Sequence, residues 1–95
     1  MPTYVCLMRW TQQGISKVKE SPARLDAGRK AFQNLGVEIR DVYLTMGRFD
    51  LIAVIDGPDD AVARALLSLA SQGNIQTETL RAWRENEYRQ ITSSV

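Results

Sequence analysis

Two stretches of this chain, Thr3–Trp10 and Phe49–Asp56, are apolar on both of the faces between which a β-strand alternates. In the first, Tyr4, Cys6, Met8 and Trp10 point one way while Val5 and Leu7 point the other. In the second, Phe49, Leu51, Ala53 and Ile55 oppose Ile52 and Val54. A strand with one dry face can border water, but a strand with two needs cover on both sides and belongs in the middle of a sheet.

The segments between them set the sheet's surroundings. Thr11–Glu20 starts polar and then places Gly14, Ile15 and Val18 at helical spacing, which predicts a short helical turn. Ser21-Pro22 opens a longer helix, Ser as the cap and Pro where its missing N–H costs nothing. Leu25, Gly28, Phe32 and Leu35 form its apolar stripe and Gly36 stops it. Val37–Met46 reads as a strand joined to Phe49–Asp56 by a tight hairpin at Gly47-Arg48. Gly57-Pro58-Asp59-Asp60 opens a helix whose acidic start suits the helix dipole; Val62, Ala65, Leu66 and Leu69 face its core and Gly73 ends it. Asn74–Trp83 is a fourth strand, and Arg84–Ile91 a short terminal helix anchored by Tyr88 and Ile91.

The order β-α-β-β-α-β in 95 residues is one α+β domain, residues 1–95. With right-handed crossovers it predicts a ferredoxin-like antiparallel sheet, two helices on one face and the two-faced strands at the centre. The helix-free face is then too apolar for water, an exposed patch on the order of several hundred Å2. Covering ~500 Å2 per subunit at ~25 cal/mol/Å2 contributes roughly 12 kcal/mol before association costs. Arg84–Ser94 offers few large apolar groups besides Tyr88 and Ile91, so a second copy is the expected cover: a homodimer or higher homo-oligomer.

Composition removes most alternatives. The chain has no histidine, which excludes a Ser-His or Cys-His nucleophile pair, a histidine base and histidine-ligated zinc or haem. Its one cysteine, Cys6, lies within an apolar run, makes no internal disulfide or thiolate metal site, and reads as a packed hydrophobe. No cofactor and no metal are expected: Gly47 and Gly57 are too isolated to cradle a phosphate, and Ser71 has neither a nucleophile elbow nor an activating base. A net charge of +1 argues against a nucleic-acid partner, and no apolar run reaches the ~18 residues of a membrane span. Without a visible signal peptide, the expected address is the cytoplasm.

Several separated blocks carry a family likeness. They are Tyr4-Val5 with Leu7–Ile15, Lys19–Lys30, Tyr43–Leu51 and Ser71–Ala82, which together span nearly the whole chain. The sequence resembles GYD-domain proteins. The family's name-giving signature falls on Gly47-Arg48-Phe49-Asp50, with Phe49 where the family commonly has Tyr. The ring's packing role carries over; a role that needs the phenol hydroxyl does not. The resemblance implies a dimeric α/β-barrel, two ferredoxin-like sheets packed face to face, and implies little about activity.

Six residues stand out as candidates for holding a ligand: Asp50, Trp10, Tyr43, Phe49, Gln72 and Asn74. Asp50 follows an aromatic at the start of a central strand, where an ionised carboxylate needs partners; it serves a ligand or caps the hairpin. Trp10 lines a pocket beside the first helix or is plain core. Gln72 and Asn74 flank the helix-ending Gly73 and edge a pocket or simply form the turn. Arg9 pairs with a carboxylate ligand or, as the blander account, forms a salt bridge with Asp50 or Glu78.

Three functions are compatible with this inventory. The first is a regulatory or non-catalytic domain binding a small organic ligand. The second is an enzyme like the cofactor-independent monooxygenases and isomerases on dimeric α/β-barrels, using Asp50, Trp10 and Tyr43. The third is a purely structural interaction module. The missing catalytic inventory favours the first, with no catalytic residue assigned.

Overall fold

The computed structural model describes residues Met1–Val95. Its elements run β1 (Thr3–Trp10), α1 (Gln12–Ser16), a 3-10 turn (Val18–Glu20), α2 (Ser21–Asn34), β2 (Glu38–Leu44), β3 (Leu51–Asp56), α3 (Asp59–Ser71), β4 (Ile75–Ala82) and α4 (Glu85–Ser93). The strands form one antiparallel sheet in the order β2-β3-β1-β4, so the two-faced strands are indeed central and the sheet order is ferredoxin-like.

Register decides which side chains meet the helices. Tyr4 faces Ile55, Cys6 faces Ala53 and Met8 faces Leu51 across the β1–β3 pair. Cys6, Met8, Ala53 and Ile55 are buried on that side with Phe32 of α2, Val37, and Ala61, Val62 and Ala65 of α3. On the other side Val5 faces Val54 and Leu80, and Leu7 faces Ile52. These residues form one contiguous apolar patch without a helix over it; Leu80 keeps 49% of its surface. No residue of α4 is buried, Tyr88 and Ile91 staying 59% and 48% exposed, and α4 packs substantially against no strand.

Three expectations change. The link between β2 and β3 is a six-residue loop, residues 45–50, rather than a two-residue hairpin. Gly47 does take positive φ (102°), but Phe49 and Asp50 lie in the loop because both are held by β1. Arg9 is stacked over the Phe49 ring, 4.7 Å from its centroid, and its Nε donates to the Arg48 carbonyl at 2.7 Å, so it makes no salt bridge with Asp50 or Glu78. The segment after β1 also resolves into two pieces, α1 and the 3-10 turn, separated at Lys17.

At the opposite end of the sheet a buried carboxylate ties three elements. Asp56 accepts from the Thr3 hydroxyl at 2.6 Å, from Arg40 Nε, and from Arg84 Nη2 at 3.2 and 3.3 Å. A register shift between Ile39 and Asp41 sets Arg40 out of the regular ladder, where it reaches Asp56. Burial pushes the Asp56 carboxyl up, but the Thr3 and Arg40 hydrogen bonds and the charges of Arg40 and Arg84 outweigh it, leaving the carboxyl below the ordinary value.

A lowered carboxyl stabilises the fold above the unfolded-state value of about 3.9, and that contribution fades as pH falls through the lower folded-state value. Asp56→Asn is therefore expected to cost about 2–3 kcal/mol at pH 7. In urea titrations run between pH 7 and pH 2, the gap between wild type and variant should close at the acid end. A gap constant with pH would show that the ionised carboxylate is not what matters.

Candidate functional site

The helix layer does not fill the space above the sheet. Where α2 crosses the central strands it presents Ala27, Gly28 and Ala31, and the sheet beneath presents Cys6 and Ala53. Small residues facing small residues leave a hollow. The result is a cavity of about 650 Å3 lined by 23 residues, 17 of them hydrophobic. That volume is in the range of small-molecule sites. Gly28 is central to it: a Cβ added there would meet nothing within 4 Å, so close packing does not require a glycine. A glycine inside a helix nonetheless costs roughly 0.5–1 kcal/mol relative to alanine.

The cavity is polar at one end only. Trp10, Gln72 and Asn74 line that end near the last residues of β1 and the turn before β4, and Ser21 and Arg24 line it from the first turn of α2. The Trp10 indole N–H is buried and has no hydrogen-bond partner, the only buried side-chain nitrogen or oxygen so left. Arg24 and Asn74 also line a second, adjoining pocket of about 280 Å3, whose other walls are Gln13, Lys17 and Glu20.

A set of hydrogen bonds fixes this polar end. Thr11 N–H donates to the Asn74 carbonyl at 3.0 Å, and the Thr11 hydroxyl to the Gly73 carbonyl at 2.6 Å. The same hydroxyl caps α1 by accepting from Gly14 N–H. Gln13 Nε2 donates to the Gln72 carbonyl and to Asn74 Oδ1 at 3.1 and 3.0 Å. Gly14 permits the approach, since a Cβ there would fall on the Asn74 carbonyl oxygen.

Of the six candidate residues, Trp10, Gln72 and Asn74 lie on the cavity wall; Asp50, Phe49 and Tyr43 do not. Asp50 acts one layer out. Its Oδ2 accepts the Trp10 backbone N–H at 3.0 Å while its own N–H donates to the Met8 carbonyl at 2.8 Å, so it holds the strand end that carries the indole. Phe49 is flanked by Arg9 and Arg48. Tyr43 pairs with Ile52 on the helix-free face and is 57% exposed. Sequence reasoning missed Arg24, Lys17 and Gln13; the run Ala27-Gly28 followed by Ala31 was the available signal for a thin helix face.

The chemistry open to this wall is narrow. It contains no carboxylate, lysine or tyrosine. The Cys6 thiol is pushed up by burial, with a weak opposing hydrogen bond from Thr79 at 3.8 Å, and so stays protonated and inert. No group of three or more carboxylate or thiol side chains comes together as metal ligands.

Known proteins share both the sequence pattern and the fold. The family model described as the GYD domain matches residues 4–92. The "Glutamine synthetase and cystathionine beta-lyase binding protein" of Thermus thermophilus is 34% identical over 84 residues, covering 86% of this chain and 88% of that protein. The crystal structure of TTHA0845, also from Thermus thermophilus, superposes with a TM-score of 0.51 at 30% identity, covering 88% of this chain and 95% of that one.

Two glycines separate the site's hollow from its frame. Gly28→Ala should raise stability by about 0.5–1 kcal/mol, because helix propensity improves and nothing is displaced. Gly14→Ala should lower it by about 1–3 kcal/mol through the clash with Asn74. Denaturant midpoints of both variants check the pair; equal effects would contradict the packing described.

Proposed function

This chain belongs to the GYD-domain family, and from that premise we propose that it is a non-catalytic binding protein whose cavity beneath α2 takes a small, largely apolar ligand. The observation that carries the reading is the 650 Å3 hollow with Trp10 on its wall, whose buried indole N–H has no hydrogen-bond partner. A folded chain gains nothing from an unfilled apolar space; it loses dispersion contacts on every lining atom. A ligand restores them. The absence of carboxylate, lysine and tyrosine from the wall favours binding over the monooxygenase- or isomerase-like alternative, which would need a base there.

The same protein is proposed to work as a homodimer closed through the helix-free face. Val5, Leu7, Ile52, Val54 and Leu80 give that face an apolar centre, and Arg9, Asp41, Tyr43 and Glu78 give it a polar rim, the layout of a protein interface. A second reading of the binding role involves protein partners. It is favoured by the printed name of the Thermus relative, which describes binding to two enzymes. Pull-down of glutamine synthetase or cystathionine β-lyase by the folded chain would support it for this protein, and absence of both from the bound fraction would count against it.

Two measurements test the main proposal. Light scattering at micromolar concentration should return twice the 10.7 kDa chain mass, and Ile52→Lys should return the chain mass itself. A wild-type mass near 10.7 kDa would remove the dimer. Apolar probe ligands should raise the melting temperature of wild type and leave Gly28→Leu, whose side chain enters the hollow, unmoved.

A further inference from the structure

Resting on the reading that the cavity holds a small ligand, we infer that the ligand is an anionic amphiphile: a monocarboxylate whose head sits between Arg24 and Lys17 and whose apolar body lies beneath α2. The inference comes from how polarity is distributed around the site. Hydrophobic side chains supply 17 of the 23 lining residues, among them Phe32, Ile39 and Ile55. The polar residues gather where β1 ends and β4 begins, and there the apolar cavity meets a pocket with no hydrophobic lining at all. Arg24 and Asn74 belong to both. A molecule spanning the two spaces must be apolar at one end and polar at the other.

The sign of the polar end follows from the groups present. Lys17 and Arg24 supply two positive charges and Glu20 one negative. None of the three takes part in any ion pair of the chain. Arg24 uses its Nη1 and Nη2 to hold the carbonyls of Lys17 and Gly14, both at 3.2 Å, which fixes the guanidinium at the junction without neutralising it. Asn74 has its Oδ1 engaged by Gln13 Nε2, which leaves its amide N–H groups as the free donors. Arg24, Lys17 and the Asn74 amide thus give the junction more donors than acceptors, Glu20 being its one carboxylate. A carboxylate accepts from several such donors at once and pairs with the guanidinium. An alcohol would satisfy fewer of them and an amine would repel both cations.

Decanoate, decanol and acetate separate the contributions of tail and head. Trp83→Phe leaves Trp10 as the single tryptophan, so its emission reports on the cavity wall. Titrated into that protein, decanoate should bind at least about tenfold more tightly than decanol, and acetate should not bind measurably. Arg24→Gln should reduce the preference for decanoate over decanol several-fold. Lys17→Gln, which removes a charge from an exposed side chain and disturbs no hydrogen bond of the fold, should do the same; it keeps the test valid should Arg24→Gln loosen the α1–α2 junction. Gly28→Leu should abolish binding of both long-chain probes while leaving the helix-free face unchanged, which rules out adsorption there. Equal affinities for decanoate and decanol, indifferent to both charge variants, would overturn the anionic head and leave the cavity reading standing. No change in Trp10 emission with either probe up to about 1 mM would overturn both.

Discussion

The pairing of β1 with β3, from Thr3 opposite Asp56 to Met8 opposite Leu51, decides everything else about this domain. Because side chains alternate, a one-residue slip would set Cys6 opposite Ile52 or Val54 and turn the helix-side residues of one of the two strands to the open face. In the observed register the smaller pair, Cys6 and Ala53, faces α2 and the larger one, Val5 and Val54, faces the open side. That choice creates both of the protein's apolar surfaces: a hollow under the helices and a patch on the far side of the sheet. Neither is satisfied within the chain.

Polar contacts fix that register at both ends of β1. At its start, Thr3 and Asp56 are joined by a 2.6 Å hydrogen bond, and Arg40 and Arg84 close over the carboxylate from β2 and from the head of α4. At its end, Asp50 holds the Trp10 N–H and Arg9 stacks on Phe49. The two-faced apolar run between them would accept several registers on hydrophobicity alone. Directional bonds at its termini select one, and the same bonds set the position of the indole on the cavity wall.

Periodicity makes most of the architecture legible in the sequence. The two-faced apolar runs Thr3–Trp10 and Phe49–Asp56 mark the central strands, and Gly36 and Gly73, both with positive φ, mark the ends of α2 and α3. What periodicity does not carry are features set by distant partners. Phe49 and Asp50 continue an apolar strand pattern locally, yet residues about 40 positions earlier draw them into a loop. The cavity is hidden for a different reason: it is a deficit of volume summed over α2, all four strands and α3, and Gly28 counts locally as one more member of an apolar stripe. Trp10, Gln72 and Asn74 are legible as wall residues because amphipathic and amide side chains at element ends have few other uses. Arg24 is not, since a basic residue in the first turns of a helix ordinarily points to water.

The sheet order has a consequence for how the chain comes into being. β1 is synthesised well before both of its neighbours, β3 and β4: its first partner follows only at Leu51 and its second only at Ile75. For that interval a strand greasy on both sides has nothing to pair with, and a neighbouring nascent copy is as good a template as the correct one. The polar, helix-prone stretch directly after it, Thr11 to Glu20, is then more than a connector. Of the segments that follow β1, it is the earliest that can fold back against the strand while translation continues.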